Sequence, residues 1–395
     1  MDKGKWIIGL LAVIGLLFLM QPAGFFSGAF MEPVVEVTFL HTNDIHGHFM
    51  PGKATWLAHE PPVGGFASLK TFSQQEEKAA RRESRPLFRI DAGDWFTGVP
   101  ESDLTDGEAM IAGLNEIDYD FLTIGNHEFD VGTDTLVRRI DELKHPVLNS
   151  NVYLLTDTRP QRFPGTIANA LVEKKGIKFG FFALLTEEMK GYDIEGVEFE
   201  SVLPTARSQV DQLADSGADV IVAVTHIGLE EDKKLARAVK GIDVIIGSHT
   251  HSRLDPPEFE NKTIIAQAGG QLTQVGRLDL QVNSRRGEIV NYDGGLISLI
   301  HRFYPPDQDV SEVLEPYIAR VDEMLSEVVG RVSADLSRAS DQSSPLGNLI
   351  TNAMREATGA DLAFQNSFGI RDSISAGEVT MRHLYRVLPF GNELV

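Results

Sequence analysis

Five stretches of this sequence end in the same kind of chemistry. "VVEVTFLHTNDIHGHF" runs into Asp44 and His46, "PLFRIDAGD" into Asp94, and "YDFLTIGNHEFD" into Asn126 and His127; "DVIVAVTHIG" and "IDVIIGSHTH" run into His226 and into His249 and His251. Carboxylate, amide oxygen and imidazole are donors that suit borderline or hard divalent cations. Asp44, His46, Asp94, Asn126, His226, His249 and His251 are more donors than one tetrahedral ion needs. Two divalent ions roughly 3.5–4 Å apart would use them, and such a pair clamps the attacking and leaving oxygens of a phosphoryl displacement. Asp94, on its own strand between the other donors, is the natural bridge. His127 follows Asn126 directly and is not expected to bind the same ion. With Asp130 three residues on, it forms a candidate His-Asp pair in which the carboxylate orients the imidazole and raises its pKa, so that it donates to the leaving oxygen or the charged transition state. The nucleophile is then a hydroxide held by the ions, and no covalent intermediate is required.

Each fragment alone is commonplace: a lone Asp-x-His arises by chance, and Gly-Asn is a turn signal. Specificity comes from repetition. Of 11 His, five fall at these positions. Of the others, His48 is expected in a solvated loop and His41 as a structural residue or a support behind the donors. Glu128 is assigned no chemistry.

The stretches that carry the donors are near-continuous apolar runs, separated by amphipathic segments such as "DTLVRRIDELK" and "ARSQVDQLADSGAD". Runs of this kind read as strands buried on both faces of an α/β sheet. Such sheets present ligand sites beyond the carboxyl ends of their strands. Asp44 and His46, if extended, point to one side, and His249 and His251 repeat that spacing. After His251, "TIIAQAGGQ" and "VGRLDLQVNSRRGEIVNYDGGLISL" read as antiparallel strands that close the domain. "SEVLEPYIARVDEMLSEVVGRV" reads as a connecting helix with a charged face. From about Arg331 a new unit begins with a helical "LGNLITNAMREATG", a strand-like "ADLAFQ" and "NSFGIRDSI".

With 395 residues the chain has room for two or three domains. It contains no cysteine, which excludes disulfides, thiolate metal sites and lipidation at cysteine. A net charge of -21 argues against a nucleic-acid surface. An anionic substrate must then be attracted locally, most simply by bound cations. Residues 1–30 carry two lysines, an uncharged apolar stretch and then Pro22, Gly24 and Ser27-Gly28-Ala29, the order of a signal peptide. The stretch from Trp6 to Phe30 is also long enough for an uncleaved membrane anchor. Both readings export the rest of the chain, to the periplasm, the cell surface or the medium.

"HTNDIHGHF", "DAGDWFTG", "GNHEFD", "THIG" and "GSHTH" resemble, in order and context, the calcineurin-like metallophosphoesterases, and closely the exported branch of 5'-nucleotidases, UDP-sugar hydrolases and 2',3'-cyclic nucleotide phosphodiesterases. "VGGFASLKT", "LNSNVY" and "AQAGGQLTQVGRLDL" add to the resemblance, which covers about residues 35–395. It implies an α/β fold: a four-layer α/β/β/α catalytic sandwich over 31–305, a linker helix over 306–330 and an incomplete α+β 5'-nucleotidase-type C-terminal domain over 331–395. It also implies that Asp44, His46, Asp94 and His251 hold one ion and Asp94, Asn126, His226 and His249 the other, with His127 and Asp130 as the catalytic pair. Asn366 and Arg371 match the family's Asn-Gly-Gly-Gly-Ile-Arg substrate motif, and Arg338 is a second candidate arginine. Ser367 and Phe368 stand where the family has glycines, so a positive-φ loop there would be strained. The chain ends at "LPFGNELV", ahead of the region expected to carry the family's base-stacking aromatic pair. The leading expectation is an exported dimetal phosphoesterase acting on nucleotides with Zn²⁺, Mn²⁺ or another transition metal. The competing readings are a cyclic phosphodiesterase, UDP-sugar or sulfur-ester hydrolase on the same core, or an idle surface or binding protein.

Overall fold

The computed structural model describes residues 33–156, 159–192 and 194–389. The expected leader, residues 1–30, and the last residues, 390–395, lie outside them. From Val34 onward the chain forms one compact unit.

Two sheets carry that unit. The first orders its strands as Glu288–Ser298, Gln274–Asn283, Val34–Thr42, Leu87–Asp91, Phe121–Thr123, Val147–Leu148 and Thr166–Ile167. From Val34–Thr42 outward to Thr166–Ile167 the neighbours run parallel, and the two late strands join antiparallel on the other side. The second sheet orders Asn169–Lys174, Ile177–Leu185, Val220–His226, Val244–Ile246, Thr263–Ala266 and Glu258–Glu260, with a parallel centre and antiparallel edges.

The apolar runs are the inner strands of these sheets, buried on both faces as their composition requires. Alternate residues serve different layers. Phe39, Phe88, Ile90, Phe179, Phe181, Val222 and Val244 fill the space between the sheets, and the Phe121 and Phe181 rings meet there at 4.7 Å. Phe182, Ala223 and Ile245 turn outward onto helices Val202–Asp215 and Leu229–Ala238. Leu40, Leu69, Leu114 and Leu136 pack the first sheet under helices Phe66–Glu83, Glu108–Leu114 and Thr133–Glu142. Each fully buried large apolar side chain contributes about 2 kcal/mol of transfer free energy. The result is four layers, helices on both outer faces of two packed sheets.

Helix Gln308–Leu325 starts at Asp307, whose carboxylate accepts from Val310 N at 3.2 Å. Val310 and Leu314 pack it into the first helical layer. Beyond it, Leu346, Ile350, Ile370, Ile374, Val379 and Val387 form a small separate core. Two expectations need correction. Thr263–Ala266 is only half of an antiparallel pair: it is buried throughout, lies parallel to Val244–Ile246 on one side and antiparallel to Glu258–Glu260 on the other, and belongs to the second sheet. "ADLAFQ" is not a strand: Leu362 and Phe364 are 72% and 86% exposed, so its alternation has no face to bury. The strand of that region is Gly377–Thr380, paired with Val328–Val332. Among the described residues no helix is long and apolar enough to cross a membrane.

Candidate active site

The carboxyl ends of the parallel strands of both sheets open onto one place, and the chain kinks sharply to deliver the donors there. Asp44, His46, Asp94, His249 and His251 all have positive φ, between 49° and 75°. For residues with a Cβ this conformation costs of order 1–2 kcal/mol each and persists where surrounding contacts enforce it. Asp44 and His46 therefore converge through a left-handed turn, not through the extended spacing expected from sequence. Asn43 pins that turn, donating to Gly269 O at 2.6 Å and accepting from Ala268 N at 2.8 Å. Two glycines allow the loops to meet: a Cβ on Gly93 would lie 2.6 Å from Gly125 N, and one on Gly125 would lie 2.2 Å from Asp94 Oδ1.

Backbone carbonyls set the tautomers. His46 Nδ1 lies 3.0 Å from Thr97 O and His226 Nδ1 lies 2.8 Å from Ala92 O. A carbonyl only accepts, so each Nδ1 carries the hydrogen and each Nε2 turns its lone pair inward. His46 Nε2 stands 3.0 Å from His251 Nε2, and His226 Nε2 stands 3.2 Å from Asn126 Oδ1 and 3.0 Å from Asp94 Oδ2. Asp94 Oδ2 is also 3.6 Å from His46 Nε2, which puts it between the two imidazoles. Asp44 Oδ1 is 3.3 Å from His251 Nε2 and 4.0 Å from the Nε2 atoms of His46 and His226. Donors held at about 2.0–2.2 Å from one cation stand about 3.0–3.5 Å apart, which is the spacing of the closest pairs here. Electron-rich atoms facing one another this closely require a proton or a metal ion between them, so the donor set fits divalent cations.

Charge follows the same logic. Burial alone would depress the His226 imidazole, yet the facing carboxylates Asp94 and Asp44 raise it to about 10, so without a cation Nε2 also holds a proton, the one a bound cation would displace. Burial opposes charge on Asp94, but His226 and His46 hold its carboxyl well below the ordinary range. His46 is pulled down to about 4 by burial, which keeps its Nε2 lone pair available. The donors fall into the groups Asp44, His46, His251; His46, Asp94, His127; and Asp94, His226, His249. His127, set aside as a donor in the sequence reading, thus stands within reach of His46 and Asp94, although its Nδ1 is engaged by Asp130 Oδ2 at 2.7 Å. Burial would lower His127, but the Asp130 bond and the charges of Asp94, Asp130 and Glu128 raise it to about 9.

Several residues act in ways the sequence did not suggest. Glu128 is fully buried and accepts from the backbone N–H groups of Gly125, Asp94, Trp95 and Phe96, tying the Asp94 loop to the Asn126 loop. Asp91 similarly joins Thr42 Oγ1 at 2.6 Å, Gly93 N at 2.9 Å and Trp95 Nε1 at 2.7 Å. Glu188, from a short turn after the Ile177–Leu185 strand, reaches His249 Nε2 at 3.3 Å. A carboxylate following an Asn-His pair by one residue, or opening a strand-end loop, was the available signal. His48 is partly buried, with Nδ1 2.7 Å from His46 O, and is not a solvated loop residue. His41 is buried in the Val34–Thr42 strand.

The residues matched to the substrate motif share one loop in the C-terminal segment. Asn366 Oδ1 accepts from Gly369 N, capping a short turn over Ser367–Gly369. Ser367 and Phe368 keep negative φ there, so the strain expected from their side chains does not arise. Arg338 turns onto this loop, Nη1 donating to Ile370 O at 2.8 Å and Arg371 O at 3.2 Å, and so braces it. Arg371 is close enough to depress the His48 imidazole electrostatically, a smaller effect there than burial.

Residues 37–253 match the family Calcineurin-like phosphoesterase, and residues 323–395 match 5'-nucleotidase, C-terminal domain. The chain is 30% identical to Protein UshA of Yersinia enterocolitica, over 92% of this chain and 74% of that protein. It is also 30% identical to a 5'-nucleotidase of Vibrio vulnificus, over 92% of this chain and 73% of that protein. Its fold superposes on the crystal structure of a 5'-nucleotidase precursor from Thermus thermophilus with a TM-score of 0.78 and 29% identity, covering 90% of this chain and 74% of that one. The chain therefore belongs to the calcineurin-like phosphoesterases, the metal-dependent phosphoric ester hydrolases, and carries a C-terminal segment of the 5'-nucleotidase type.

Proposed function

We propose that this enzyme hydrolyses nucleotide phosphate esters at the His-Asp centre by in-line attack of water. The observation that carries the reading is the convergence of Asp44, His46, Asp94, His226, His249 and His251, with Asn126 Oδ1 against His226, and the His127–Asp130 pair at their edge. We assign Asp44, His46, Asp94 and His251 to one divalent cation and Asp94, Asn126, His226 and His249 to a second, with Asp94 shared. Mixed nitrogen and oxygen donors accept Zn²⁺ or Mn²⁺. Bound cations of this kind neutralise phosphoryl charge and activate the attacking water. His127, oriented through Nδ1 by Asp130, offers its Nε2–H to the leaving oxygen and to transition-state charge. Asp94 Oδ1 receives the His127 backbone N–H at 2.9 Å, which ties the proton donor to the shared carboxylate. Residues 331–395 act as substrate-recognition segment, with Asn366 shaping the loop, Arg371 contacting substrate and Arg338 bracing it. Export rests on residues 1–30; N-terminal sequencing of the exported protein separates cleavage near Ser27-Gly28-Ala29 from a retained anchor.

The test is release of phosphate from AMP, UMP and an aryl phosphate by protein loaded with Mn²⁺ or Zn²⁺. We expect turnover by wild type, a loss of about 10³-fold or more in Asp94→Ala, and a loss of about 10²–10⁴-fold in kcat for His127→Ala. Equal inertness of wild type and Asp94→Ala under both metals would overturn the enzymatic assignment and leave a metal-binding scaffold.

A further inference from the structure

At the amino ends of the parallel strands, away from the donor site, lies a groove of about 500 Å³. That volume is in the range of sites that hold small molecules. Its walls are the end of helix Phe66–Glu83, the start of strand Leu87–Asp91, and the turn that joins Asn169–Lys174 to Ile177–Leu185. The groove runs against the composition of the chain. In a protein of net charge -21, five cations, Arg81, Arg85, Arg89, Lys174 and Lys175, face two carboxylates, Glu77 and Asp120. Adding Glu83 and Asp279, which both pair with Arg85, still leaves the cations in excess.

Three of the cations are built into the walls. The Arg85 side chain is 5% exposed, with Nε donating to Glu83 at 3.0 Å and Nη1 to Asp279 at 3.5 Å. The Arg89 side chain is 11% exposed, with Nε donating to Ser73 Oγ at 2.7 Å and Nη2 to Glu77. Lys174 Nζ donates to Leu87 O at 2.7 Å and to Asp120 Oδ1 at 3.2 Å, and lies 3.8 Å from the centroid of the Phe88 ring. These bonds order the side chains without using every N–H group: Arg85 Nη2 and Arg89 Nη1 make none among the described residues. Glu77 serves two arginines at once. Burial would raise its carboxyl, but the hydrogen bonds from Arg89 and Arg81 hold it below its ordinary value. Lys175 pairs with no carboxylate among the described residues, and its φ of 56° is one that glycine or asparagine adopts more cheaply.

Guanidinium edges match phosphate oxygens bidentately, and a recessed charge holds an anion more strongly than one in open water. Cations stand on all three walls, so a ligand that meets them carries more than one negative charge. Ala80, Pro86 and Leu87 add apolar surface for the rest of it. We propose that this groove is a second anion site, separate from the catalytic centre, that takes a phosphorylated small molecule with two or more negative charges. A lipid headgroup offers the same chemistry, but Arg85 and Arg89 are recessed from the surface, where a free molecule reaches them and a flat bilayer does not. The proposal is independent of hydrolysis at the His-Asp centre.

The experiment is calorimetry of the full chain, dialysed against EDTA so that no cation recruits anions to the donor site, with inorganic pyrophosphate as the probe. Wild type is compared with Arg81→Gln/Lys175→Gln, with Lys175→Glu and with the charge-keeping Lys175→Arg. Arg81 is 78% exposed and Lys175 is exposed, so these changes spare the fold. We expect wild type to bind pyrophosphate with an affinity that falls as NaCl rises. The double variant should bind about 10–100-fold more weakly, the loss of two charged contacts, and Lys175→Glu at least about tenfold more weakly, while Lys175→Arg keeps the affinity. No binding by wild type, or equal binding by wild type and the double variant, would overturn the site. Sedimentation with phosphatidylglycerol vesicles separates the two phosphate sources, and wild type and the double variant should sediment alike. Loss of vesicle binding in the double variant with an unchanged pyrophosphate affinity would give the groove to a membrane surface and overturn the proposal.

Discussion

His226 illustrates how a single side chain is made into a donor. Ala92 O fixes the proton on Nδ1, Ser248 Oγ sits 2.7 Å from the same atom, and the inward Nε2 meets Asp94 Oδ2 at 3.0 Å. His249 is arranged the other way round. Its Nε2 faces Glu188 at 3.3 Å, a carboxylate–imidazole contact that leaves Nδ1 for the cation. Supporting partners of this kind are worth 10–100-fold in metal affinity. Glu188→Gln, with Glu188 mostly exposed and the fold undisturbed, should therefore weaken Mn²⁺ binding about tenfold in calorimetry; an unchanged affinity would make the contact incidental. Apart from opening a strand-end loop, Glu188 carried no sequence signal for this contact, because its partner lies 61 positions away and only the fold joins them.

At the scale of elements, the strands stop in register and the loops between them hold one another. Glu128 joins two such loops by accepting four backbone N–H groups. Removing it would strand buried donors at about 1–3 kcal/mol each, with partial relaxation. Glu128→Ala should lower the free energy of unfolding by at least about 3 kcal/mol in denaturant titration and weaken metal binding as well; Glu128→Gln, which keeps an acceptor oxygen, should lose less. The strand pattern that carries these loops was legible because parallel strands buried on both faces need unbroken apolar runs. The left-handed turns at Asp44, His46, Asp94, His249 and His251 were not, since none of these positions is itself a glycine and tertiary contacts impose them.

Across the whole molecule, charge burial sets both a pH response and the join of the C-terminal segment to the catalytic domain. Burial lifts the Asp243 carboxyl to about 6, opposed by the Ile221 N–H that it accepts at 2.8 Å. The folded protein thus holds this proton up to about pH 6, whereas the unfolded chain holds it only to its ordinary value of 3.8. The resulting stability is present below about pH 4 and lost as pH rises through about 6, a change of roughly 3 kcal/mol. Asp243→Asn should gain about that much over wild type in unfolding titrations at pH 7.5 and little at pH 4; an equal gain at both would refute the assignment. Arg382, from helix Met381–Val387, pairs with Asp322 and with Glu101, which is 1% exposed. Removing one partner of such a buried pair costs about 3–5 kcal/mol. Arg382→Ala should lower Tm by several degrees in calorimetry, and pairing it with Glu101→Gln should restore most of the loss.

Residue type and order were enough to single out the candidate donors, because imidazole, carboxylate and amide recur in step with apolar runs whose two-sided burial already implies an α/β sheet. They were enough for the His127–Asp130 pair too, since three residues separate its members. Tertiary structure alone decided which atom of each imidazole faces inward, that Asp94 stands between His46 and His226, and that Glu128 and Glu188 reach the loops of the site. Those facts depend on carbonyls, loops and rings brought together from distant positions, and spacing along a chain carries no record of a contact made only when two sheets close.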